Sequence, residues 1–334
     1  MKLKNFTKRV LKKFRRPGMR RMEKENRRLR KRLNDPAALE RAKKIGLHPE
    51  SFLIITLDSC RYDIFDQADI PAMKSIGDYY CANPQATFTF ASHAALFVGM
   101  TPGVATSRER YKNPKVGRIF RIVNKIAGGI RSDYIQLQGR TIVDGYKNIG
   151  YRTLGTAASR WFNPKVSTGQ ILTSDFEEFF YTLTDVEAQV AWLLERMNKD
   201  TSRPFFTFIN IMETHVPYHH QGAPWEKKNP CVLFGENNDA DICREHQQKC
   251  LEFTDRALAP LIDIFQRAGA SILCMGDHGD CHGEDGLWAH GIYHEEVMKV
   301  PMVYHLRPRH ISPDDLNLDN ENVEVPVLDE MLNS

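Results

Sequence analysis

The 334-residue chain lacks the long apolar run, about 18 residues or more, that a membrane-crossing helix needs. No apolar segment follows its basic start, so no secretory signal is expected. Its seven cysteines are odd in number, scattered and without C-x-x-C spacing, which predicts reduced thiols in a cytoplasmic protein rather than a disulfide frame. There is no G-x-G-x-x-G or G-x-x-x-x-G-K-[ST] run to cradle a nucleotide on backbone amides. The G-x-S-x-G elbow of a Ser-His-Asp hydrolase is missing as well. Base-reading motifs are also absent, which excludes sequence-specific nucleic acid as the expected partner.

The charge is unevenly distributed. Residues 1–45 hold 19 Lys and Arg against 4 Asp and Glu, whereas the remainder holds 27 against 38. The sequence therefore divides into a basic helical tail, 1–48, and a net acidic domain, 49–334. In "MKLKNFTKRVLKKFRR", Leu3, Phe6, Val10 and Phe14 fall three or four residues apart among cations, the pattern of an interfacial membrane helix. Pro17-Gly18 breaks that pattern, and "RRMEKENRRLRKRL" then spaces Met22, Asn26, Leu29 and Leu33 in a coiled-coil-like rhythm. The tail reads either as a solvated arm or as an anchor on an anionic membrane surface or polyanion, placing the protein in the cytoplasm or peripherally on a membrane.

From residue 51 the pattern changes. "SFLIITLD" is a continuous apolar run, as expected of a strand buried on both faces, and "GYRTLGTA", "PFFTFINI", "ASILCMGD" and "VPMVYH" read as further strands. Helical stretches alternate with them around "RTIVDGYKNIG", in 184–200 and within 241–268. This order predicts an α/β fold, a mostly parallel central sheet with helices on both faces. Residues 104–138 are basic and weakly patterned, and read as an insertion.

Three strands end in chemistry: Asp58; Glu213, His215 and His219; Asp277 and His278. Each alone has a plain reading as a helix cap, a turn or a satisfied buried histidine. Together, carboxylates and imidazoles at the carboxyl ends of parallel strands suit a hard or borderline dication. Ten of the twelve histidines lie at or after position 215. In "ATFTFASHAAL" (86–96), the alternation of Thr87, Phe88, Thr89 and Phe90 fits a strand, and the small residues that follow fit a helix start.

These motifs, in this order, resemble the alkaline phosphatase and sulfatase superfamily. "LDSCRYD" is similar to its first metal-binding strand, "FTFASHAALFVGMTPG" to its nucleophile segment and "GYRTLGTAASRWF" to its GY-x-T strand. "PFFTFINIMETHVPY", "MGDHGD" and "LWAHGIYHEEVMKVPMV" continue the likeness to about residue 305. The resemblance implies an alkaline phosphatase-like sheet. It implies a divalent metal, Zn or Mn and one or two ions, on Asp58, Asp277, His278 and the nucleophile oxygen. That oxygen falls on Thr89, with Thr87 a strand residue. His215 and His290 are implied as groups that grip the phosphoryl oxygens or a second ion. Glu213, His219, His282 and His294 rank below them, with Arg61 and Arg160 as further substrate contacts.

Sulfatases need a cysteine or serine in a C/S-x-P-x-R context. Here Thr89 stands with Ala91 and His93, and "TFASH" is similar to the "TFPNH" of threonine-nucleophile phosphodiesterases. The expected function is therefore a metal-dependent phosphohydrolase or phosphotransferase acting on a phosphate mono- or diester. A sulfatase, or an inactive scaffold that binds a membrane or partner, is the alternative.

Overall fold

The computed structural model describes residues 17–99, 140–229, 231 and 237–308. The apolar-basic segment 1–16 and the stretch 104–138 lie outside the described residues. The strands along the chain are β1 (Phe52–Leu57), β2 (Tyr79–Ala82), β3 (Arg152–Ala157), β4 (Glu178–Tyr181), β5 (Phe205–Ile211), β6 (Ser271–Gly276), β7 (Cys281–His282), β8 (Trp288–Ala289) and β9 (Val300–His305). The α-helices are α1 (Pro17–Leu33), α2 (Pro36–Ala42), α3 (Tyr62–Gln67), α4 (Pro71–Lys74), α5 (Thr89–Val98), α6 (Ile142–Asn148), α7 (Ser167–Thr173), α8 (Val186–Met197) and α9 (Ala240–Arg267).

Seven strands form one sheet in the order β2-β9-β6-β1-β5-β3-β4, and β7 pairs with β8 beside it. Strands β6, β1, β5, β3 and β4 are parallel, whereas β9 runs antiparallel to both β6 and β2. The apolar runs of the central strands follow from burial on both faces. Leu53, Ile55 and Leu57 of β1 join a core with α1, α2, α3, α4, α8 and α9. Ile54 points the other way, into a core with α5, α6 and α7. Edge strands β2 and β4 are half-exposed and four residues long, so their sequences show no comparable run.

Helix α1 is held by the stripe Met22, Asn26, Leu29, Leu33. Leu29 and Leu33 lie in the main core, while Asn26 Nδ2 donates to Thr182 Oγ1 at 2.7 Å. Arg30 pairs with Asp185, the residue that caps α8 by accepting from the Ala188 N–H. The coiled-coil-like rhythm thus finds its partner within the chain, on α8.

One local expectation is corrected. Residues 85–88 are bends, so Thr87 is not a strand residue, and α5 begins directly at Thr89 with extended Phe88 before it. The Phe88–Phe90 alternation serves ring packing instead, since both rings lie against Trp161 at centroid distances of 6.1 and 5.6 Å.

Candidate active site

Because β1 and β6 are adjacent and parallel, the residues just past their ends, Asp58 and Asp277, come together. Asp277 Oδ1 accepts two backbone N–H groups, from Ser59 at 3.1 Å and His278 at 2.9 Å. Its Oδ2 is buried without a hydrogen-bond partner and lies 3.6 Å from His278 Nε2. The His278 Nδ1–H donates to the Gly279 carbonyl at 3.0 Å, which leaves Nε2 as a lone pair facing the carboxylates. Asp58 Oδ1 lies 3.7 Å from that nitrogen. Gly279 is required here, because a Cβ would sit 2.1 Å from the Glu296 carbonyl oxygen. Ser59 takes a positive φ of 62° in the turn after Asp58, and the Gln247 amide braces that turn through the Ser59 and Thr214 carbonyls.

Thr89 enters from α5. Its Oγ1 is 3.4 and 3.5 Å from the two Asp58 oxygens and 3.4 Å from His278 Nε2. Two residues of the "TFASH" motif set its position. Ser92 Oγ donates to the Asp277 carbonyl at 2.7 Å, and the His93 Nδ1–H donates to the Thr89 carbonyl at 2.8 Å. Burial pushes His93 down to about 4, so it is a neutral strut, and its Nε2 accepts from Thr56 Oγ1 at 2.9 Å.

The donor set fits a dication. Separations of 3.4–3.7 Å exceed hydrogen bonds, and they match ligand atoms that share a tetrahedral ion at about 2.1 Å, whose edges are about 3.4 Å. Burial, then the facing Asp58, pushes Asp277 well above the carboxylate range, and burial raises Asp58 too. Burial likewise holds His278 far below the usual imidazole value, in its neutral, ligating form.

Beside this cluster the candidates His290 and His282 join a chain of polar groups through Asp280 and Tyr218, two residues that the sequence did not single out. His290 Nδ1 meets Asp280 Oδ1 at 2.6 Å. Tyr218 donates to Asp280 Oδ2 at 2.7 Å and contacts His282 Nε2 at 2.9 Å. Burial opposes charge on Asp280, but the facing His290 holds it below the usual range; Asp280 in turn overcomes burial to raise His290. The His290 ring lies 4.3 Å from His278 and 5.2 Å from His215, centroid to centroid. His215 Nδ1 meets the Val216 carbonyl at 2.6 Å. The missed signal was Asp280, two residues past His278 in "DHGD".

The lower-ranked candidates fall elsewhere. Glu213 is buried and accepts the Val186 N–H at 2.7 Å, so it caps α8. His219 lies near Lys227, and His294 near Asp285 at 3.5 Å. His282 is pushed down to about 4, first by burial and then by Arg61, and it serves Tyr218. Arg61 is buried among Asp63, Glu284 and Glu296, and Arg160 is exposed.

The sulfatase family model matches residues 86–313. The chain belongs to the sulfatase family. It therefore sits in the alkaline phosphatase superfamily, with that superfamily's mostly parallel sheet. Among solved structures, this sulfatase-family chain is similar to the C-terminal periplasmic domain of the phosphoethanolamine transferase EptC from Campylobacter jejuni. That match has 14% identity and a TM-score of 0.53, and covers 78% of this chain and 80% of that one. The corresponding EptC domain from Escherichia coli, in complex with Zn, matches with 12% identity and a TM-score of 0.51 over 79% and 74% of the two chains. No curated protein matches.

Proposed function

We propose that this sulfatase-family protein is a metal-dependent phosphoryl-transfer enzyme acting on a phosphate mono- or diester, with Thr89 as nucleophile. The observation that carries the reading is the place of Thr89 Oγ1, 3.4–3.5 Å from Asp58 and His278 at the first turn of α5. Asp58, Asp277 and His278, with Thr89, would hold the ion, Zn or Mn. Bound there, a dication supplies Lewis acidity, easing loss of the Thr89 proton and offsetting charge on the phosphoryl oxygens.

Thr89 Oγ1, its proton passed to solvent, attacks phosphorus as the bond to the leaving oxygen breaks, giving a phosphothreonine and an alkoxide. His290, oriented by Asp280 through Nδ1, gives its Nε2 proton to that alkoxide. His215, its Nδ1–H held by the Val216 carbonyl, donates an Nε2–H to a phosphoryl oxygen as the imidazolium. Water or an acceptor alcohol, its proton taken by the now unprotonated His290 Nε2, then takes the phosphoryl group and frees Thr89. One ion suffices for this scheme. His278, Asp280 and His290 form a second ligand-like group, but His278 has one nitrogen on a carbonyl and one toward Asp58 and Asp277. Thr89 also disfavours sulfate-ester chemistry, since threonine cannot become formylglycine.

The test is Thr89→Ala assayed on a phosphate monoester, a phosphodiester and an aryl sulfate. The expected result is turnover of a phosphate ester by the parent and a loss of roughly 10,000-fold or more in the variant, with metal still bound. Full activity in Thr89→Ala would show the nucleophile to be another group, and turnover of the aryl sulfate alone would favour a sulfatase.

A further inference from the structure

The outward face of α1 is a line of cations that the reaction does not use. Arg20, Lys24, Arg27 and Lys31 are spaced four, three and four residues apart, which aligns them along one side of a helix, and all four are exposed. They lie opposite the stripe Met22, Asn26, Leu29 and Leu33 that fixes the helix to α8 and the core.

The helix sorts its charges. Arg28 pairs with Glu25 and Glu195, Arg30 with Asp185, and Arg32 with Glu195. Among the described residues, Lys24, Arg27 and Lys31 are in no ion pair. Like charges one turn apart weaken a helix by a few tenths of a kcal/mol per pair. A body with 38 acidic residues beyond position 45 has anions to neutralise them, yet the stripe faces away from it.

The sequence immediately before α1 extends the same chemistry. Residues 1–16 carry eight Lys and Arg, no Asp or Glu, and the apolar Leu3, Phe6, Val10 and Phe14 among them. Cations alone serve any polyphosphate surface. Phenylalanine, leucine and valine spaced three or four apart among them gain free energy where an acyl interior lies behind the phosphates.

We propose that the outward face of α1 docks the protein on an anionic phospholipid bilayer, with Lys24, Arg27 and Lys31 facing the headgroups. Each Lys or Arg near an anionic leaflet contributes about a five-fold gain in affinity, so the three together contribute roughly 100-fold. The attraction is screened by salt. This docking does not depend on which ester the enzyme turns over.

The test is co-sedimentation of the full chain with vesicles of phosphatidylcholine alone and with added phosphatidylserine. A triple variant, Lys24→Glu, Arg27→Glu and Lys31→Glu, is run beside it, as is a chain lacking residues 1–16. The expected result is binding that needs phosphatidylserine, weakens with salt, and falls at least 100-fold in the triple variant at unchanged Tm. The truncated chain should bind more weakly but keep its phosphatidylserine dependence. Equal binding to both vesicles, no binding, or an unaffected triple variant overturns the proposal. So does complete loss of phosphatidylserine dependence in the truncated chain, or tighter binding to single-stranded RNA than to the vesicles at equal salt.

Discussion

Two charged clusters lie close together in this molecule, one around a buried guanidinium with partly exposed carboxylates and one buried throughout, and they are balanced differently. Around Arg61, three carboxylates converge on one guanidinium at hydrogen-bond distance: Asp63 at 2.7 Å, Glu296 at 2.7 Å and Glu284 at 2.8 Å. Around Thr89, two carboxylates and a neutral imidazole face one another at 3.4–3.7 Å, and Asp277 Oδ2 has no partner. The first cluster contains its own cation and is closed. The second concentrates negative charge on lone pairs that point at a common spot. Burying charge in this way is costly unless a cation offsets it, so the open cluster has the character of a ligand set and the closed one that of a structural clamp.

The comparison breaks most directly at Asp277. Asp277→Asn keeps an oxygen to accept the Ser59 and His278 N–H groups but puts an amide where Oδ2 stood. Bound metal should fall below one equivalent, and phosphate-ester turnover should drop by roughly 1,000-fold or more. The metal-free variant should melt no lower than the parent, because removing the charge relieves the repulsion with Asp58. Metal analysis and a melting curve on one preparation check both halves. Stoichiometric metal in Asp277→Asn would remove it from the ligand set.

Arg61→Met should show the reverse. Asp63 and Glu296 lose their cation and Glu284 keeps only Arg244, and since these carboxylates are partly exposed the cost is about 2–3 kcal/mol, while the protein that remains folded should keep its metal. Denaturant unfolding with metal analysis reads both quantities. If Arg61→Met lost metal at unchanged stability, the clamp would belong to the site.

The clusters should also part in their response to pH. Burial first, then mutual repulsion, holds Asp277 above the ordinary carboxylate range, and burial raises Asp58 as well. Between the unfolded and folded values the folded state therefore binds more protons than the unfolded one. Their contribution to stability is complete below the unfolded carboxylate value, about 4, and is lost as pH rises through the folded values. Metal binding needs both groups ionised, so the Tm gain on adding Zn should grow with pH. Melting in chelator and in Zn from about pH 5 to about pH 8, with Asp277→Asn as the reference, measures it. A Zn gain that shrinks with pH would contradict the assignment.

The sequence disclosed the fold where burial is two-sided. β1, β5 and β6 are mostly apolar runs because helices cover both faces, whereas β2 and β4 are short, half-exposed edges that leave no such trace. The strand-end carboxylates could be read because parallel strands bring their ends together, whatever the loops do. The Asp280–His290 contact could not be read, because it depends on how the β7–β8 pair folds back after His278. The 3.6-residue stripe of α1 was visible as a helix, but no sequence spacing could say that its partner is α8.

Glu213 gives the finest form of the comparison, since it had ranked among metal candidates and stands in neither cluster. Its Oε1 accepts the Val186 N–H at 2.7 Å, while Oε2 is buried without a partner. Burial lifts its pKa to about 7. The folded value thus lies above the unfolded 4.5, so its stabilising contribution is present below about 4.5 and is lost as pH rises through about 7. Glu213→Gln keeps the acceptor oxygen for Val186 and cannot ionise. The amide nitrogen that replaces Oε2 is equally unpartnered and offsets most of the gain, leaving roughly 1 kcal/mol at mildly alkaline pH. That amide cost is the same at every pH, so the variant should melt below the parent near pH 5 and about 2–4 °C above it near pH 8, for a chain of this size. Its metal content should not change. A variant that lost metal, or whose melting tracked the parent at every pH, would return Glu213 from the α8 cap to the list of ligands.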